Sequence, residues 1–185
     1  MVISIIIWAS WLVAEIMLSR FLRAKYPNTK AWDKNSLNII WITISISISL
    51  GVILMIFTPF IISSSYLITY LGLFLIISGI FVRIAAIRTL GNFFTVNLAI
   101  YNDHQLITNG LYKSIRHPSY TGSLLSFVGL GVSFNNWLSL AVIVLPIMIS
   151  FIYRINIEEQ LMVKQFGSEY IHYKKNTKRL MPLIY

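Results

Sequence analysis

Residues 118–154 read PSYTGSLLSFVGLGVSFNNWLSLAVIVLPIMISFIYR, and this stretch decides the fold. Two apolar runs, 118–134 and 137–154, meet at Asn135-Asn136, and no charge interrupts them before Arg154. A helix needs about 20 mostly apolar residues to cross the hydrocarbon core of a bilayer. Two such runs joined by a short uncharged turn predict a tight transmembrane hairpin. Its two open ends carry the polar clusters of the chain. Arg116 and His117 stand before the first run, and Arg154, Glu158 and Glu159 close the second. Ionisable groups near membrane depth are costly and mark a functional site by default. Pro118 suits the first turn of a helix, where its missing N–H costs nothing. The free N–H groups of that turn can face an anionic group.

Outward from the hairpin, the N-terminal part holds further spans. The first is 2–22, interrupted by Glu15 and closed by Arg20 and Arg23. It lacks a basic leading region and a small-residue cleavage site, so it reads as a retained span and not a signal peptide. A polar loop with Lys25, Pro27, Lys30, Asp33 and Lys34 follows. The second span is 37–57. Its Ile-Ser alternation over 42–49 has the period of a strand, but an open strand in lipid leaves backbone groups unpaired. A helix is expected, with serine hydroxyls returned to carbonyls one turn back. Thr58, Pro59 and Ser63 to Ser65 make an uncharged turn, and the third span runs over 66–87 with Arg83 and Arg88 at its end. Residues 89–115 contain no run long enough to span and read as a re-entrant or surface segment. Loops of that length are functional or disordered. The tail, 156–178, alternates apolar and charged residues and is expected to be a helix outside the membrane, broken by Gly167.

Composition agrees. The chain is 57% hydrophobic and 11% charged, where a soluble domain carries about 25% charged residues. The absence of cysteine excludes disulfides, thiolate metal sites and a cysteine nucleophile. The net charge of +9 sits in short clusters between spans, a pattern that fits loops against anionic membrane lipid and not a nucleic-acid surface. No metal site is expected: His104, His117 and His172 lack ligand spacing. No glycine-rich dinucleotide fingerprint is present. The connections alternate between basic and uncharged along the chain. The positive-inside rule then puts the N-terminus outside, with the tail and both polar clusters on the cytoplasmic side. The expected fold is all-α and integral to the membrane, with about five transmembrane helices and a cytoplasmic C-terminal helical tail. Residues 1–88 would hold the three N-terminal helices and 89–185 the polar clusters, all in one membrane domain.

Each candidate group has a plain reading beside a functional one. Arg116 and His117 either anchor a span at the headgroups or line a site. Arg154 and Glu158 are four apart and share a helix face. They are either an ordinary surface ion pair or a charged pair in which Arg154 orients an anionic substrate and Glu158 holds a cation. Glu159 points about a third of a turn away. Glu15 faces another helix or a substrate. His104 is an exposed loop residue or part of the site. Phe166 to Tyr170 and Tyr173 are expected to pack the tail against the cytoplasmic face.

Taken in order, several motifs resemble the isoprenylcysteine carboxyl methyltransferase family, which is related to the membrane phospholipid methyltransferases. They are the run His104 to Tyr112, then Arg116-His117-Pro118-Ser119-Tyr120-Thr121-Gly122, then Glu158-Glu159-Gln160-Leu161. Phe166-Gly167-Ser168-Glu169-Tyr170, Tyr173-Lys174-Lys175 and Arg179-Leu180-Met181-Pro182 complete the set. The resemblance covers 91–182; the first three spans match only in being hydrophobic. It implies an integral membrane enzyme that uses S-adenosylmethionine, yields S-adenosylhomocysteine, and accepts a lipophilic or lipidated substrate from the bilayer. By this resemblance Asn97, His104, Gln105, Leu106, Ile107, Tyr112, His117, Pro118, Ser119, Tyr120, Glu158 and Glu159 bind the cofactor. Glu158 pairs with its amino group and counts with Arg154 as catalytic. Arg154 and Arg116 lie on the substrate side. A carboxylate acceptor needs no general base; an amine acceptor needs one, and Glu159 is then the candidate. The alternatives are N- or O-methylation of a phospholipid or another amphiphile, and a non-catalytic scaffold or transporter. The paired broken helices of a transporter are not evident.

Overall fold

The computed structural model describes residues 2–21, 35–91 and 106–180, with side chains of the first segment described over 4–17. These residues form α1 (Val2–Phe21), α2 (Asn35–Phe57), α3 (Leu67–Leu90), α4 (Pro118–Ser133), α5 (Trp137–Phe166) and α6 (Ser168–Asn176), with a 3-10 turn at Gly110–Lys113 before α4. The helices α2, α3 and α5 are long and apolar enough to cross a membrane; α1 contributes the shorter apolar stretch Ser4–Met17, and α4 has 16 residues. The outside of the bundle is apolar, with Phe57, Leu67, Phe74 and Ile149 all more than 60% exposed. Large exposed apolar surface of this kind suits lipid.

The Ile-Ser stretch is helical, as expected. The Ser45 hydroxyl donates to the Trp41 carbonyl one turn back at 2.8 Å. Asn135 takes a left-handed φ of 53° and Asn136 caps α5 by accepting from the Ser139 N–H at 3.0 Å. Asparagine tolerates both conformations, which is why the hairpin can turn so tightly.

Small residues set the helix seams. On α3 and α4, Gly79 faces Gly122 and Gly72 faces Gly129; a Cβ on Gly122 would lie 2.7 Å from the Arg83 backbone nitrogen. Backbones this close pack by contact, since lipid supplies no hydrophobic drive between helices. Along α2 and α5, the Ser139 hydroxyl donates to the Gly51 carbonyl at 2.7 Å and Arg154 donates to Ser36 at 2.7 Å. The two contacts have the same spacing on both helices, so α2 and α5 are antiparallel and in register. Helix α1 runs against α4: Trp8 donates to Ser133 at 2.9 Å, Trp11 packs edge-on against Phe127, and Glu15 pairs with Arg83 of α3 at 3.1 Å.

Two expectations need correction. The helix of the fifth span does not stop at Arg154. Helix α5 continues to Phe166, so the start of the expected tail is the same rigid rod. The third helix runs beyond residue 87 to Leu90, so Arg83 lies within it and reaches inward to Glu15 and α4 instead of marking its end. The break at Gly167 is present, with φ of 55°.

Candidate active site at the polar end of the hairpin

Because α5 continues past Arg154, Arg154 and Glu158 project from one helix towards the first turn of α4, with Glu159 about a third of a turn away. Arg154 is 2% exposed. Its Nε donates to the Tyr120 hydroxyl at 2.8 Å and stands 3.2 Å from Glu158 Oε1. Tyr120 in turn donates to Glu158 Oε1 at 2.5 Å. Guanidinium, phenol and carboxylate form a closed triangle, which removes the reading of an ordinary solvated pair: such pairs hold little energy because water competes, and here water is largely kept out.

Glu159 faces the other way. Its carboxylate meets Arg116 Nε at 2.8 Å, Arg179 Nη2 at 2.9 Å and Lys174 Nζ at 3.0 Å. Arg116 also donates to the carbonyls of Thr177 and Lys174. The polypeptide beyond α6 is laid across the entry to α4 as a strap. Lys178 N–H donates to Ser114 O at 3.0 Å, Arg116 N–H to Lys178 O at 2.8 Å and His117 N–H to Arg179 O at 3.1 Å. The Thr121 hydroxyl donates to Leu180 O at 2.5 Å. The tail packs as expected, with Tyr170 and Tyr173 buried and the Tyr173 hydroxyl donating to Tyr112 O at 2.7 Å.

His117 stands between the glutamates, with Nδ1 3.5 Å from Glu158 Oε2 and Nε2 3.4 Å from Glu159 Oε1. The Nε2 contact lacks hydrogen-bond geometry, which leaves that buried atom without a partner. Burial pushes the imidazole towards its neutral form. The nearby carboxylates of Glu158 and Glu159 outweigh it, so its pKa is raised above the ordinary 6.5.

Of the residues expected to bind the cofactor, Tyr112, His117, Pro118, Ser119, Tyr120, Glu158 and Glu159 gather at this end of the bundle. Leu106 and Ile107 are half-buried on the approach to the 3-10 turn. Asn97, His104 and Gln105 lie outside the described residues. Arg116, expected on the substrate side, binds Glu159 and the strap. The sequence reading missed the neighbourhood of Ser119: Arg83 Nη1 donates to its hydroxyl at 3.2 Å and its carbonyl at 3.3 Å, and to the Ser123 hydroxyl. The signal was available, since a charge within an apolar span points inward by default.

Residues 67–169 match the phospholipid methyltransferase family. The chain belongs to that family. Among its relatives, a probable protein-S-isoprenylcysteine O-methyltransferase from Oryza sativa subsp. indica is 36% identical over 121 residues, which is 64% of this chain and 63% of that protein. The protein-S-isoprenylcysteine O-methyltransferase of Saccharomyces cerevisiae is 35% identical over 63% of this chain and 49% of its own length. The solved structure of the eukaryotic intramembrane Ras methyltransferase isoprenylcysteine carboxyl methyltransferase superposes with a TM-score of 0.66 at 28% identity, covering 82% of this chain and 54% of that one. The chain thus spans between about half and just under two thirds of these relatives. The matched region holds the hairpin, the triangle and Glu159. Ser36 and the strap lie outside residues 67–169, the stretch that matches the family model.

The features implied for S-adenosylmethionine can be tested on the geometry. Its amino-acid end carries an ammonium and a carboxylate. Glu158 offers a carboxylate to the first. The opening of α4, uncapped by any side chain, offers amides to the second, beside the unpartnered Nε2 of His117. These residues fit the group.

Proposed function

We propose that the protein is an S-adenosylmethionine-dependent membrane methyltransferase that esterifies the carboxylate of a lipophilic, isoprenylcysteine-like acceptor. The observation that carries this reading is the Arg154–Tyr120–Glu158 triangle, where a cation for an acceptor carboxylate lies beside an anion for a cofactor ammonium. The cofactor supplies a methyl group already activated on sulfonium. The chain need only align the acceptor and exclude water. Glu158, His117, Pro118, Ser119, Tyr120 and Tyr112 would hold the cofactor, together with Leu106, Ile107, Asn97, His104 and Gln105. Arg154 would orient the acceptor. Opposite charges are consumed in such a transfer, so a positioning guanidinium serves it better than one that stabilises the separated ions.

The family's name favours a phospholipid amine as a second reading. That reaction needs a base, and Glu159 was the sequence candidate. A carboxylate engaged by Arg116, Arg179 and Lys174 is a poor proton acceptor, which favours the carboxylate substrate. The basic connections and tail support an outside N-terminus and a cytoplasmic site, with residues 89–185 as the catalytic region of one membrane domain.

The test is methyl transfer from radiolabelled S-adenosylmethionine in lipid nanodiscs, offering N-acetyl-S-farnesylcysteine or phosphatidylethanolamine. A base-labile label on the first supports the reading. A base-stable label on the second replaces it with amine methylation. No saturable binding of S-adenosylhomocysteine to the folded protein would leave a scaffold or transporter.

A further inference from the structure

We infer that Ser36 is a positioning residue for Arg154, so that the first turn of α2 sets how the acceptor's carboxylate is held. This rests on the reading of Arg154 as the acceptor-side group. Ser36 is fully enclosed and Arg154 nearly so. Arg154 is held at two points of its fork: Nε by Tyr120 and Glu158, and Nη1 by the Ser36 hydroxyl at 2.7 Å. A planar guanidinium fixed at both Nε and Nη1 cannot turn in its plane or swing out of it. Tyr120 and Glu158 come from the hairpin, inside the residues that match the family. Ser36 comes from α2, outside them. The Gly51–Ser139 contact further along the same seam holds α2 in register, so the hydroxyl is placed by the helix pair and not by a loop. The charged triangle is therefore completed from outside the stretch that matches the family. That makes the α2 first turn a place where acceptor preference can be tuned without touching the cofactor side.

Ser36→Ala removes one acceptor and almost no volume. The measurement is the affinity of the full-length protein, in nanodiscs and loaded with S-adenosylhomocysteine, for N-acetyl-S-farnesylcysteine. No turnover is needed. A hydrogen bond to a charged group predicts that Ser36→Ala weakens this binding about tenfold, with S-adenosylhomocysteine affinity kept within about twofold. In an Arg154→Lys background, where Nη1 is gone, Ser36→Ala should add nothing, as a double-mutant cycle requires of a residue acting through Arg154. If Arg154→Lys weakens acceptor binding and Ser36→Ala does not, the inference is wrong and the proposed function stands. Equal loss of acceptor and S-adenosylhomocysteine affinity in Ser36→Ala would reduce Ser36 to a structural role and also overturn it. If the loaded wild-type protein fails to bind the acceptor, or Arg154→Lys binds it unchanged, the acceptor reading falls and the inference with it.

Discussion

Glu158 and Glu159 are consecutive residues of one helix, yet they sit in opposite worlds. Glu158 meets one guanidinium, one phenol and one imidazole inside the hairpin. Glu159 meets Arg116, Lys174 and Arg179 and ties the tail to the entrance of α4. The turn of about 100° between neighbours on a helix is the whole cause: one side chain faces α4 and the other faces the strap. The comparison teaches that a pair of acidic residues need not share a function. The Glu159 side has several cations for one anion and is built to hold. The Glu158 side has fewer partners, and the proposed function assigns it to the cofactor ammonium.

That division can be broken by substitution. Arg154→Ala should have the largest effect, lowering kcat/KM for the acceptor by more than about a hundredfold while S-adenosylhomocysteine titration shows affinity within about threefold of wild type. Full activity on every acceptor tried would end its assignment to the substrate side. Glu159→Gln should act on stability: removing one partner from a buried ionic cluster costs about 3 kcal/mol, read as a fall in the thermal midpoint in nanodiscs. Glu158→Gln should do the reverse, lowering S-adenosylhomocysteine affinity about thirtyfold with the thermal midpoint much less changed. Should Glu159→Gln cost cofactor affinity and Glu158→Gln cost only stability, the two roles would have to be exchanged.

Much of this was legible in the sequence, for identifiable reasons. Hydropathy and the Asn135-Asn136 turn are local signals, and they predict the bounds of α4 and the start of α5 to within a residue. The i, i+4 spacing of Arg154 and Glu158 predicts a shared face, which α5 provides. The continuity of the fifth span with the tail helix was not legible, because polarity marks where an apolar run ends and not where a helix ends; Asn156, Glu158 and Glu159 all continue α5. That Arg83 points inward was legible from its charge, but which residues Arg83 and Ser36 meet was not. Each depends on which helix lies beside which, and bundle neighbours are set by the Gly79–Gly122 and Gly51–Ser139 seams, whose pairing no periodicity within a single helix reveals. The strap was hidden for the same reason: its backbone bonds to Ser114, Arg116 and His117 join distant parts of the chain.

The smallest expected effect concerns the group that the two halves share. His117 lies between both carboxylates, and its pKa is raised above the ordinary 6.5 because their nearby charges outweigh burial. A group whose folded-state pKa is raised contributes stability that is fully present below its unfolded value and is lost as pH rises through the folded one. The imidazolium therefore helps to join the Glu158 and Glu159 sides below about pH 6.5, and the join fades on the alkaline side of that value. Thermal midpoints measured in nanodiscs between pH 6 and pH 9 should fall with rising pH in the wild type, and His117→Gln should flatten that slope while lowering the midpoint at pH 6. Other titrating groups contribute equally to both proteins, so the difference between the curves isolates His117. Parallel curves would mean that the imidazole is neutral throughout. The two glutamates would then be coupled only through the helix they share.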